Sequence, residues 1–246
     1  MKIAVINFSG NVGKTTVARH LLLPRIPGAE LIAVESLNAH EGQAPALRGR
    51  QFGELQEYLQ TVDSAVVDIG ASNVEELLTL MQSYRGSHEE FDCFVVPTVP
   101  PLKQQQDTIA TLVELSRLGV PPSRLKLVFN MAEAGVPVEH SFFMLLAFVA
   151  EQPLASADVA CCLSSNEVYA RIRGTGLDLG TLARDDTDYK ALIAKAQNRD
   201  EKLALGRKLA TRRLAMGVVP ELDACFTALG LVPHIESTKP ASRQAA

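Results

Sequence analysis

The apolar run Ile3-Ala4-Val5-Ile6 passes through Asn7-Phe8-Ser9 into Gly10-Asn11-Val12-Gly13-Lys14-Thr15-Thr16, and a helical pattern follows over Thr15–Leu23. A buried strand, a glycine-bearing turn and a helix, in that order, form a cradle for phosphate. The first turn of a helix has unpaired N–H groups and the positive end of the peptide dipole, and both attract an anion. Glycine at 10 and 13 lets the backbone curl close and aim its amides inward. Asn11 is the non-glycine type best able to take a left-handed conformation, so it suits a place in the loop. Lys14 then neutralises charge on the outer phosphates, and the Thr15 hydroxyl is a ligand for Mg²⁺.

More strands of the same kind follow. Leu31–Glu35, Ala65–Ile69, Asp92–Val96 and Leu125–Asn130 are short runs rich in Val, Ile, Leu and Phe, separated by helical patterns over Val74–Tyr84 and Gln105–Leu118. Continuous rather than alternating apolar runs are what strands covered on both faces require. The expected fold class is therefore α/β, a doubly wound, mostly parallel sheet whose ligands sit at the carboxyl ends of the strands. Asp188–Leu229 reads as helix with a break near Met216–Pro220, and 232–246 as a polar, disordered tail. One domain over 1–231 is expected from the chain length of 246.

Composition narrows the functions. A net charge of −4 excludes a globally basic nucleic-acid or membrane binder, so any such contact has to come from a local patch. Trp is absent and Phe and Tyr are few, which argues against a base-stacking single-strand binder. The four cysteines, Cys93, Cys161, Cys162 and Cys225, contain no Cys-x-x-Cys pair and read as reduced, buried thiols. No apolar run has the length of a membrane span, and Glu236–Ala246 has no bulky apolar face for lying on one. A cytoplasmic protein with no membrane attachment is expected.

A second strand end carries chemistry. Ala65-Val66-Val67-Asp68-Ile69-Gly70 places one carboxylate in a buried apolar run. Such a group is costly unless it meets a cation or donors. Beside a phosphate loop, Asp68 is a candidate for the Mg²⁺ site, with Gly70 free to swing its N–H toward a terminal phosphate.

Together these residues resemble the ParA/MinD group of P-loop ATPases, whose loop reads Gly-Lys-Gly-Gly-Val-Gly-Lys-Thr-Thr. Within that group the chain is most similar to StbB-type plasmid stability proteins and TraL-like conjugation proteins, on Ile3–Thr16, Val34-Glu35-Ser36-Leu37-Asn38, Pro97–Asp107 and Leu127–Asn130. The resemblance implies a P-loop NTPase fold with a helical C-terminal part, and ATP and Mg²⁺ as ligands. It assigns Gly10, Asn11, Val12, Gly13, Lys14, Thr15 and Thr16 to the nucleotide, Thr15 and Asp68 to the metal, and Asn130 to adenine. It assigns Lys14, Asp68 and Glu35 to hydrolysis. It also implies a plasmid-encoded DNA-binding partner, a homodimer, and nucleoid association through nonspecific DNA contacts of Arg207, Lys208, Arg212 and Arg213.

The chain departs from that pattern twice. Ser9 stands where the group has the lysine that reaches across a dimer, and Leu37 where it has an aspartate that positions water. Slow or partner-stimulated hydrolysis is the resulting expectation. Two alternatives stay open: an ATP-dependent small-molecule ligase on the same scaffold, and a nucleotide-binding scaffold that does not hydrolyse.

Overall fold

The computed structural model describes residues 1–34 and 49–231. Glu35, Ser36, Leu37 and Asn38, and the expected tail at 232–246, lie outside the described residues. Six strands form one sheet: β1 (Lys2–Val5), β2 (Glu30–Ala33), β3 (Ala65–Asp68), β4 (Cys93–Thr98), β5 (Leu125–Ala132) and β6 (Cys162–Ser164). Their spatial order is β2-β3-β1-β4-β5-β6, and every pairing is parallel. The expected fold class is the observed one.

Parallel strands need crossovers, and helices supply them on both faces. Helix α1 (Lys14–Thr16) continues without a break through the wider π-turn Val17–Leu22 and the tight turn Leu23–Arg25. Then come α2 (Gly49–Leu59), α3 (Val74–Ser83), α4 (Leu102–Arg117), α5 (Val138–Ser141) and α6 (Phe143–Glu151). The C-terminal part consists of α7 (Val168–Ile172), α8 (Leu179–Arg184), α9 (Tyr189–Lys195) and the long α10 (Arg199–Leu229).

Side-chain alternation divides the strands between two cores. Ala4, Val67, Phe94, Val96, Leu127 and Phe129 pack under α2, α3, α4 and α6, together with Phe52, Leu77, Leu112 and Leu145. Ile3, Val5, Val66, Val95 and Val128 face the opposite way, against Leu21 and Leu22 of the first helix, Ile172 of α7 and Val218 and Leu222 of α10. Both sides are covered, which is why the runs read as continuously apolar. Each such side chain contributes about 1.5–3 kcal/mol on burial.

Two expectations need correction. The C-terminal helical stretch does not break near Met216–Pro220: α10 runs through Pro220, which lies exposed on its outer face. Proline removes one N–H bond, and an outward position leaves the orphaned carbonyl within reach of water. The break falls instead between α9 and α10, where Asn198 takes an extended conformation and its side chain accepts from Glu201 N, an N-cap. The sixth strand, β6, was not expected; its three residues carry no apolar run long enough to mark it.

Among the described residues no helix is long and apolar enough to cross a membrane. Cys93, Cys161 and Cys225 are buried free thiols and Cys162 is half-buried. Burial pushes the Cys93 thiol up to about 12 and Cys161 to about 11, so both stay protonated and inert at neutral pH.

Candidate nucleotide-binding site

Register brings the two strand ends together. Val5 of β1 pairs with Asp68 of β3, so the phosphate loop and the Asp68–Gly70 turn leave the sheet at one edge. From β1 the chain crosses to β2 on one side, whereas β4 leads to β5 on the other. The loop therefore sits at the point where the strand order reverses, the usual ligand crevice of such sheets.

The loop closes on itself through Lys14. Lys14 Nζ donates to the carbonyls of Asn7 (3.1 Å) and Ser9 (2.7 Å), and the side chain is 8% exposed. Asn11 adopts φ 59°, the left-handed conformation expected of it. Gly13 sits at φ 84°, and a Cβ there would lie 2.2 Å from Asn130 Nδ2. Only glycine fits this position, for conformation and for space. Asn130 fills that space because its Nδ2 donates to Val12 O at 2.9 Å. Its amide nitrogen therefore braces the loop from below.

Asp68 meets the loop directly. Thr15 Oγ1 donates to Asp68 Oδ2 at 2.7 Å. Burial pushes the Asp68 carboxyl above its ordinary value, and the Thr15 hydrogen bond, Lys14 and Arg19 oppose that push without cancelling it. The site thus holds a carboxylate whose charge is under-compensated, a place that favours a cation. Two hard oxygens 2.7 Å apart, one hydroxyl and one carboxylate, are the ligand chemistry that Mg²⁺ takes.

A cavity of about 420 Å³ lies over these groups, lined by Gly10, Gly13, Lys14, Thr15, Asp68 and Gly70 among others. Thr16 and Asn11 also line it. The structure therefore gathers around one hollow all the loop residues assigned from sequence except Val12, which is buried behind it. Glu35 lies outside the described residues. Four further lining residues, Ala33, Ala71, Met131 and Arg173, were assigned no role from sequence. Met131 follows Asn130 at φ 55°, and Arg173 comes from the far end of the chain, just past α7. Arg207, Lys208, Arg212 and Arg213 line none of this cavity; they lie along α10.

Behind the loop, a buried polar network ties it to α4. Asn7 Nδ2 donates to Pro97 O (2.9 Å) and to Thr108 Oγ1 (2.8 Å), and Asn7 Oδ1 accepts from Ser9 N (2.7 Å). Phe8 N donates to Thr111 Oγ1 at 3.1 Å. Gln105, on the same helix, donates to Pro100 O and Ser141 O and accepts from Leu145 N.

No family model matches the chain, and no curated protein matches it. Solved structures do. MinD cell division protein of Aquifex aeolicus superposes with a TM-score of 0.51 at 14% identity, covering 88% of this chain and 97% of that one. The MinC:MinD complex of the same organism gives 0.50 at 13% identity, with 88% and 95% covered. The septum site-determining protein MinD of Pyrococcus horikoshii OT3, complexed with Mg-ADP, gives 0.51 at 12% identity, with 88% and 95% covered. At such identities the likeness is one of architecture: the chain shares the fold of these MinD structures.

Proposed function

We propose that this chain is an ATP-dependent switch that binds Mg-ATP at the Phe8–Thr16 loop and turns it over slowly. The observation that carries this reading is the Thr15–Asp68 hydrogen bond of 2.7 Å, which joins the loop to the end of β3 beside the buried Lys14. The Pyrococcus MinD, similar in fold, is a complex with Mg-ADP. A bound Mg²⁺ supplies neutralising charge on phosphate oxygens and needs oxygen ligands, and Thr15 and Asp68 are the residues that would hold it. Lys14 would leave the Asn7 and Ser9 carbonyls for the phosphate chain, while the loop amides from Gly10 to Thr16 orient it. With its nitrogen committed to Val12, Asn130 would meet adenine through Oδ1. Glu35 is proposed to orient water at the terminal phosphate.

The biological setting we infer is plasmid stability, partition or conjugative transfer with a plasmid-encoded DNA-binding partner, resting on the Ile3–Thr16 and Leu127–Asn130 resemblance. Such a switch works through the difference in partner affinity between its nucleotide states. One domain over 1–231, a cytoplasmic location and nonspecific DNA contact through α10 complete the proposal.

The test is equilibrium ATP binding with and without Mg²⁺, and phosphate release with and without DNA, for wild type and Lys14→Ala. The expected loss is about tenfold to a hundredfold in ATP affinity, the scale of a charge-assisted contact. An unchanged affinity in Lys14→Ala would sink the reading. A second reading, a binder that does not hydrolyse, is favoured by Asp68 being the sole carboxylate among the described residues lining the cavity. Single-turnover phosphate release equal to background, with ATP binding intact, would select it.

A further inference from the structure

We propose that Arg173 is the second cation of the phosphate site, supplied by the same chain that supplies Lys14. This rests on the nucleotide reading above and extends it. Among the described residues lining the 420 Å³ cavity, Lys14 and Arg173 are the only cationic side chains. A triphosphate with one Mg²⁺ still carries about two negative charges, and Lys14 with the helix end offsets little more than one. Ser9, whose carbonyl accepts from Lys14, adds no charge.

A second cavity, of about 710 Å³, lies beside the first, and Thr15, Thr16 and Arg173 line both. Arg173 therefore stands where the two hollows meet. The second hollow mixes Leu23, Tyr169 and Leu177 with Arg19 and Asp178, and Arg19 lines this hollow and not the first. Phosphates held by the loop in the first hollow would therefore lie within reach of Arg173. His20, also in the second wall, does not supply the charge, since burial and Arg19 hold its imidazole below the ordinary value and leave it neutral at neutral pH.

The local backbone equips Arg173 for this role. Ile172 is 4% exposed and anchors the end of α7 in the core. Arg173 then leaves helical geometry at φ −57°, ψ 126°, and its side chain is exposed. It forms no hydrogen bond or ion pair with a described residue, whereas Arg171, two positions earlier, is held on Glu167 at 3.2 Å. Gly174 and Gly176 follow, both at φ 71° with open space at the Cβ position, so the strap has room to settle on a ligand. A guanidinium grips phosphate oxygens in a two-pronged fork that an ammonium cannot copy. Because the charge comes from within the chain, phosphate binding does not require a second copy.

The test uses the full chain with two probes, Mg-ATP and inorganic tripolyphosphate, by calorimetry on wild type, Arg173→Ala, Arg173→Lys and Lys14→Ala. Thermal melting serves as the folding control, and the exposed Arg173 position should leave it unchanged. Arg173→Ala is expected to weaken both probes about tenfold, Arg173→Lys by a smaller factor, and wild-type affinity is expected to stay constant over a fiftyfold range of protein concentration. Wild-type affinity for both probes in Arg173→Ala overturns the proposal and leaves the nucleotide reading standing. Loss of ATP affinity with tripolyphosphate unchanged also overturns it, because the arginine would then act on the nucleoside. Affinity that rises with protein concentration overturns the supply from within one chain. A wild-type chain that binds neither probe, or a Lys14→Ala variant that binds both as wild type does, overturns the nucleotide reading and the proposal with it.

Discussion

At the residue scale the site turns on two compromises. Gly13 and Asn130 share one volume, since the missing Cβ of the glycine is the space the amide occupies. Gly13→Ala should therefore cost about 2 kcal/mol, from left-handed strain and displacement of Asn130 together. Urea unfolding would show the lost stability, and calorimetry a weakened ATP affinity. Asp68 is the other compromise. Its carboxyl lies above the ordinary value chiefly because it is buried. The folded state therefore holds a proton more tightly than the unfolded chain, and this stabilising contribution is full below the unfolded value and lost as pH rises through the folded one. Asp68→Asn should flatten the stability–pH curve in that window and raise the melting temperature at pH 7, while reducing the Mg²⁺ dependence of ATP binding. A variant with the same pH slope as wild type would refute the assignment. Gly13, Lys14 and Thr15 were legible from sequence because a phosphate loop is contiguous and its chemistry demands those residue types in that order. Met131 and Arg173 were not, because their place at the cavity is set by where two distant chain segments end.

At the element scale, α4 serves the loop as much as the core. Thr108 and Thr111 are fully buried polar groups, and their partners are Asn7 and the Phe8 amide. Asn7→Ala would leave Ser9 N without its acceptor and Pro97 O and Thr108 without their donor, in a region closed to water. The expected cost is about 3 kcal/mol, read from chemical unfolding, and Thr108→Val, of similar volume, should cost about 1–2 kcal/mol. ATP affinity should fall in both, since Asn7 O is also one of the two acceptors of Lys14. Five of the six strands could be read from sequence, because burial on both faces writes a continuous apolar run. The sixth was too short to do so. Pro220 misled the reading of α10, because the strength of proline as a breaker depends on whether its carbonyl partner faces water, and sequence alone does not tell that. Asn198, an N-cap residue three positions before Glu201, was the better signal for the boundary.

At the scale of the whole molecule, charge is distributed rather than concentrated. The net −4 leaves the proposed DNA contact to α10, where Arg207, Lys208 and Arg213 are exposed. Arg212 differs: it is half-buried and its Nη1 donates to Thr187 O at 2.8 Å. Reversing Arg207, Lys208 and Arg213 to glutamate should abolish DNA binding measured at low salt, while Arg212→Glu should chiefly lower the melting temperature. DNA affinity that survives the triple reversal would remove α10 from that role. The same helix has a mechanical meaning. All of its buried residues, Ala215, Val218, Leu222, Cys225 and Leu229, lie in its C-terminal half. There it packs on Leu21 and Leu22, and Asp223 is paired with Arg25 at 2.6 Å, within the helix that begins at Lys14. The N-terminal half, about 24 Å long at 1.5 Å per residue, is held instead by α9 and by the Arg212 bond to Thr187 O. The basic outer surface of α10 and the helix that begins at Lys14 are thus joined through one continuous rigid element, so a displacement of either is felt by the other.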